Sequence, residues 1–359
     1  MGIIRLLLAI AVFNSHFPFL EVPVVDGHEA VLAFFAISGF YIALILDTTY
    51  SSSREFYWGR FLSLYPMYLI GLSISVALLT VGDIHPMTGL DKMQSLLSDP
   101  LAFAIMLWTS ACVFGQELLF SLAQSADGGL HFVEASRHGI WKHAPLIQAW
   151  SLSLEIVFYA LAPLLVRLKT STLCGVVAIS LLAKIAVMSG SLADVVFFKR
   201  FFPTEFWLFG CGILAYRYYR ILPKQSQAID YFCFIMLVGV ILIVGDVDDP
   251  YLPFALPAVI LVALPFVFRT FSVTRFDRDI GKISYPFYLL HFSAIAIFEE
   301  YWEEPIGWHI LVATLIAAIL AHTAINPGTE FLKQRLRAAK RLPLGAEAAP
   351  HPGLSSNNN

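Results

Sequence analysis

Charge is what this sequence has least of. Only 14% of its 359 residues are Asp, Glu, Lys or Arg, while 58% are hydrophobic. A soluble domain carries about 25% charge. Too few polar groups remain to wet a globule of 40.0 kDa, so a soluble enzyme is excluded. A mean hydropathy of +0.73 excludes a disordered chain. The net charge of −3 leaves no basic surface for nucleic acid. Cysteine is scarce too. Cys112, Cys174, Cys211 and Cys233 form no CxxC pair, so no disulfide framework or zinc site is expected, and all four read as small buried hydrophobes. No repeat of about 20–50 residues is visible, which argues against a solenoid. The apolar run Leu6–Phe13 lacks a small-residue cleavage site and reads as a membrane helix, not a signal peptide.

What is abundant is aromatic and apolar: 30 Phe, 14 Tyr and 7 Trp. Such side chains suit lipid-facing surfaces and interfacial belts. A spanning helix needs roughly 20 mostly apolar residues. Candidates start near Ile3, Glu29, Leu64, Leu101, Trp150, Thr172, Thr204, Ile229, Leu252, Ser284 and Ile306. Lys and Arg mark cytoplasmic loops. Arg54 and Arg60 place 48–63 inside. Arg167 and Lys169, Arg217 to Lys224, Arg269 to Lys282 and the basic C-terminal segment are inside as well. Three candidates then lie between the inside loops 48–63 and 167–171, an odd number. One of them cannot cross, and 101–122 is the choice because it holds Gln116 and Glu117. The expectation is an all-α membrane bundle of about ten spans plus one re-entrant or non-spanning apolar segment, with both termini cytoplasmic. Residues 1–330 form the membrane domain, and 331–359 form a basic, disordered cytoplasmic tail. Lys199 and Arg200 fall on the outer side, against the charge rule.

Polar residues inside spans are costly and face a cavity or a partner by default. Arg5 and His16 are eleven residues apart on the first helix. That is about three turns, so they share a face some 16 Å apart along the axis. A cation near the cytoplasmic end and an imidazole deeper in would line one shaft. Ser151 and Glu155 share a face of the helix that Trp150 opens, and an Arg, Tyr or His is expected opposite the carboxylate. Ser284, Tyr288 and His291 share a face of another, with Pro286 expected harmlessly in its first turn. Phe34–Phe40 carries a small-residue notch at Ser38-Gly39 where a second backbone can approach. Arg60 sits at the cytoplasmic lip of the third helix. A solvated loop accounts for His131, Glu134, His138 and His143, and no metal is expected.

Together these segments resemble the type 3 acyltransferase family, over about residues 1–330. The resemblance rests on Arg5-(ten residues)-His16, on FFxxSGF at Phe34–Phe40, on WSLSxExxFY at Trp150–Tyr159 and on SYxxYLxH at Ser284–His291. The family pattern carries a second Arg where Ser63 stands and a second acid where Ile156 stands. The resemblance implies a bacterial inner-membrane O-acyltransferase. Its donor is acyl-CoA, with acetyl-CoA the first expectation, and its acceptor is a hydroxyl of an extracytoplasmic or lipid-linked glycan. Arg5 and Arg60 then meet the donor phosphates, and Arg suits phosphate oxygens. His16 is the expected general base, with Glu155 orienting it or a substrate group. Ser38, Trp150, Ser151, Tyr285, Tyr288 and His291 are expected to line the substrate side. A transporter of a glycan precursor or acyl donor is the alternative, since interrupted helices and midplane polar groups suit transporters as well.

Overall fold

The computed structural model describes residues 1–125, 128–133, 136–190, 196–223, 227–246, 252–271 and 274–339. Among the described residues the chain is all-α apart from one small hairpin. Its helices are α1 (Gly2–His16), α2 (Gly27–Thr48), α3 (Ser53–Gly82), α4 (Leu90–Leu97), α5 (Pro100–Cys112), α6 (Ala149–Leu165), α7 (Thr170–Met188), α8 (Val196–Lys199), α9 (Phe202–Ile221), α10 (Gln227–Ile243), α11 (Leu252–Phe271), α12 (Arg275–Tyr301) and α13 (Gly307–Ala339). The hairpin pairs Leu122–Gln124 with Leu130–Phe132.

Among the described residues five helices are long and apolar enough to cross a membrane: α2, α3, α7, α11 and α13. The pair α4–α5, bent by 111°, makes a sixth if taken as one span. By length and composition the chain does not reach about ten. The shortfall has two physical sources. Helices α1, α6 and α10 have 15, 17 and 17 residues, short of the roughly 20 that cover the hydrocarbon. Helices α9 and α12 are long but charged; Glu205, Arg217 and Arg220 interrupt one, and Arg275 to Lys282 open the other.

Two helices start earlier than their apolar runs. Helix α3 begins at Ser53, not near Leu64, because Ser52 caps it by accepting from Glu55 N, while the Glu55 carboxylate reaches back to Ser51 N at 3.1 Å. Arg60 therefore sits in the third turn of a helix rather than in a loop. Helix α12 begins at Arg275, capped by Thr274, so Pro286 lies inside the helix and not in its first turn. An internal proline removes one rung of the helical ladder. Helix α13 continues through the first basic residues to Ala339.

Helix α2 is the axis of the bundle and packs on α1, α6, α9 and α11. Its tightest neighbour is α9. A Cβ on Gly39 would meet the Phe209 carbonyl, and one on Gly212 would meet the Ala36 carbonyl. The small-residue notch is thus where the two backbones touch, as small residues allow in membranes. Phe35 and Phe158 stack on either side of Phe209, with centroids 4.8 and 4.5 Å away, and all three are fully buried. Outside this core the helices show apolar faces: Ile179 is 70% exposed and Leu320 63%, as lipid contact requires.

The cysteines differ from expectation. None is buried: Cys112 and Cys174 are exposed, while Cys211 and Cys233 are half-buried. In lipid a thiol needs no burial, because the solvent itself is apolar. Charges instead occupy the interior. Lys184 of α7 donates to the Glu205 carboxylate of α9, and both are buried. Arg269 of α11 grips Asp230 of α10, with Thr270 adding a donor at 2.6 Å.

Candidate active site

Three cavities are stacked along α1. The innermost, about 390 Å³, is lined by Arg5, Ser38, Arg60, Glu155, Tyr159, Lys282, Tyr285 and Lys333. A narrow middle space of about 50 Å³ is lined by Arg5, Ser151, Glu155, Ser284, Tyr285 and Tyr288. The outermost, about 240 Å³, is lined by His16, His28, Trp141, Trp150, Arg200 and Tyr288. Arg5, Glu155 and Tyr285 wall both the first and the second, and Tyr288 walls both the second and the third.

Arg5 stands where the inner and middle chambers meet and His16 in the outer one, since eleven residues of helix place them on one face about 16 Å apart. His16 is the last residue of α1, where the helix stops and the ring is exposed to the outer chamber. Its ring lies 4.4 Å from Phe292 and is stacked 5.8 Å from His291. His291 does not line the chamber. It is fully buried behind His16, its Nδ1 lies 2.7 Å from the Tyr288 carbonyl, and its Nε2 has no hydrogen-bond partner among the described residues.

Glu155 takes its donors from two sides. Ser38 Oγ of α2 donates to Oε1, and Tyr159 Oη, one turn along α6, donates to Oε2 at 2.9 Å. The tyrosine expected near the carboxylate is present, but on the same helix. Among the described residues Glu155 makes no hydrogen bond to His16, and the two line different chambers. Ser151 does not pair with Glu155 either. Its hydroxyl meets Tyr288 Oη at 2.8 Å, and both hydroxyls reach the Gln148 carbonyl. This knot closes α6 onto α12 at the middle space. Tyr285 donates to the Leu64 carbonyl of α3 at 3.1 Å. The interior Pro286 and neighbouring Lys282 both face the inner chamber.

The segment 101–122 contributes by bending. After α5 the chain turns into a short 3₁₀ stretch, Gln116–Phe120. Gln116 Nε2 donates to the Leu146 carbonyl at 3.0 Å, and Gly115 N donates to Ser153 Oγ at 2.8 Å. These bonds bring Phe120 to the outer chamber. The loop histidines do not gather. His131 meets Ser125, His138 meets Arg137 and His143 meets Thr88, while Glu134 lies outside the described residues.

Over this geometry the acyltransferase domain model matches residues 2–325. The chain belongs to the type 3 acyltransferase family. No curated protein and no solved structure matches it. As a type 3 acyltransferase it is an integral-membrane acyl-transfer enzyme. Several residues of its chambers carry no motif. Tyr159, one turn after Glu155, is not among them, since it closes the Trp150–Tyr159 motif. Lys282 and Lys333 read only as topology markers. Arg200 was legible as a cation on the wrong side of the membrane. His28 and Trp141 gave no sequence signal.

Proposed function

We propose that this acyltransferase moves a short acyl group, acetyl first among candidates, from cytoplasmic acyl-CoA to a hydroxyl of an extracytoplasmic or lipid-linked glycan. The observation that carries this reading is the series of three chambers, cationic at one end and holding an imidazole at the other. Arg5 and Arg60 receive the donor phosphates, with Lys282 and Lys333 at the same mouth; guanidinium groups suit phosphate oxygens in pairs. The pantetheine arm runs outward past Glu155 and Tyr285. Its thioester stops at the Ser151–Tyr288 knot, and the acceptor enters the outer chamber beside Trp150.

His16 accepts the proton of the acceptor hydroxyl. The oxygen adds to the thioester carbonyl, the carbon–sulfur bond breaks, and the CoA sulfur leaves and takes up a proton. The products are an ester and free CoA. His291, packed behind His16, holds the ring in place. Glu155 is assigned to the donor passage rather than to His16, because Ser38 and Tyr159 hold it there. In the bilayer of the bacterial inner membrane, α1, α2, α3, α6, α7 and α9 to α13 cross and α4–α5 does not. Ten crossings leave both ends cytoplasmic, with residues 1–330 as the catalytic domain.

The test is free-thiol release from a panel of short acyl-CoAs by detergent-purified wild type and His16→Ala. His16-dependent release with one donor supports the enzyme and names the acyl group. Full transfer by His16→Ala sinks the base assignment. Absence of both thiol release and acyl-CoA binding replaces this reading with transport of a precursor.

A further inference from the structure

We propose that the outer chamber takes an acceptor bearing an oxyanion, a carboxylate or a phosphate, which Arg200 holds while the reacting hydroxyl faces His16. This rests on the acyl-transfer reading above. Arg200 lies just before α9, and its guanidinium carbon stands 4.2 Å from the centroid of Phe120 and 5.1 Å from that of Trp150. It lines the same chamber as His16. Among the described residues no carboxylate forms an ion pair with it, and its buried Nε has no hydrogen-bond partner. The nearby buried acid, Glu205, is engaged by Lys184. A cation placed among aromatic rings at a membrane protein's cavity wall is costly unless a partner completes it. Its planar fork matches a carboxylate or phosphate through two parallel hydrogen bonds.

The chamber is polar in a directional sense. Phe120 stacks on Trp141 with centroids 4.7 Å apart, so the Arg200 end is a flat aromatic wall suited to a sugar face. Asp26 lines the same chamber, where α2 starts beside Ser15; its carboxylate accepts from His28 N at 2.8 Å. Arg200 attracts an anion, and the Asp26 carboxylate repels one. An acidic acceptor therefore enters in one orientation, its charge on Arg200 and its hydroxyl toward the base. This also accounts for a cation on the outer side of the membrane, where loop charge is disfavoured.

The test is ligand-observed NMR with the purified full chain and three probes: methyl glucuronide, glucose 1-phosphate and methyl glucoside. We expect one anionic probe to bind about ten-fold or more tightly than the neutral one, with the carboxylate and phosphate arms naming the source. Arg200→Gln removes that preference, Arg200→Lys restores part of it, and His16→Ala leaves it intact. Thermal unfolding verifies that each variant is folded. Equal binding of all three probes, no binding of any, or a preference surviving in Arg200→Gln overturns the proposal. Acyl-CoA turnover without anion preference sinks only the oxyanion site. Anion preference without acyl-CoA binding sinks the acyl-transfer reading instead.

Discussion

Replacing Ser38 by alanine probes how Glu155 is held. The hydroxyl donates to one carboxylate oxygen from α2 while Tyr159 serves the other from α6, so the change removes the one bond that crosses between helices. A hydrogen bond to a charged group contributes about 1.5–3 kcal/mol, and a bond between neutral groups about 0.5–1.5 kcal/mol. Ser38→Ala is therefore expected to cost about 1.5–3 kcal/mol in the wild type. In a Glu155→Gln background, where the acceptor is a neutral amide, the same change should cost about 0.5–1.5 kcal/mol. Removing the second donor as well, in Ser38→Ala/Tyr159→Phe, should show coupling of roughly 0.5–3 kcal/mol, because both donors act on one carboxylate. The assay is unfolding of the purified protein in mixed micelles, read by intrinsic fluorescence for all single and double variants. If Ser38→Ala costs the same in the wild type and in the Glu155→Gln background, the hydroxyl is not bonded to a carboxylate, and the account of the donor passage fails with it.

Three other perturbations test the frame around the site. Gly39→Ala places a methyl against the Phe209 carbonyl and is expected to destabilise by about 1–3 kcal/mol, whereas the same change at Gly175, where a Cβ meets nothing, should be near neutral in the same unfolding assay. Lys184→Met leaves Glu205 buried and unpaired and should cost about 3–5 kcal/mol; Lys184→Met/Glu205→Leu should recover most of that loss, and a double variant as unstable as the single one refutes this. Asp99, which caps α5, is held below the usual carboxylate range by backbone N–H groups of Ala102, Gly129 and Leu101. A depressed folded value means that its stabilisation is present at neutral pH and is lost as pH falls through that value, below about 4. Thermal unfolding of Asp99→Asn should thus match the wild type at low pH and fall below it at pH 7; a gap independent of pH excludes the carboxylate as its source.

How much of this was legible depends on the range of the interaction. The helical bundle and the notch at Gly39 follow from composition and local residue size, and both can be read from a short stretch of chain. Helix starts were misplaced where an apolar scan competes with caps. Ser52 with Glu55 and Thr274 with Asp277 were visible as start signals, but both precede polar first turns that hydropathy discards. Ignoring them put Arg60 in a loop and Pro286 in a first turn. By length and apolarity five or six of the described helices qualify as spans, because α1, α6 and α10 are shorter than their apolar runs suggest while α9 and α12 carry charge.

The site divides along the same line. Arg5 and His16 belong to one helix, so their common face follows from spacing alone. Of the partners of Glu155, Tyr159 follows it by one turn of the same helix, but Ser38 lies 117 residues away and no pattern on either segment names the other. Arg200 is the instructive case. Its backbone lies in the turn before α9, yet its guanidinium stands on an aromatic wall of the chamber that holds His16. Topological rules describe charges that nothing else constrains. A charge that breaks such a rule is therefore a place to look for a ligand, and in this chain that charge lines the same chamber as His16.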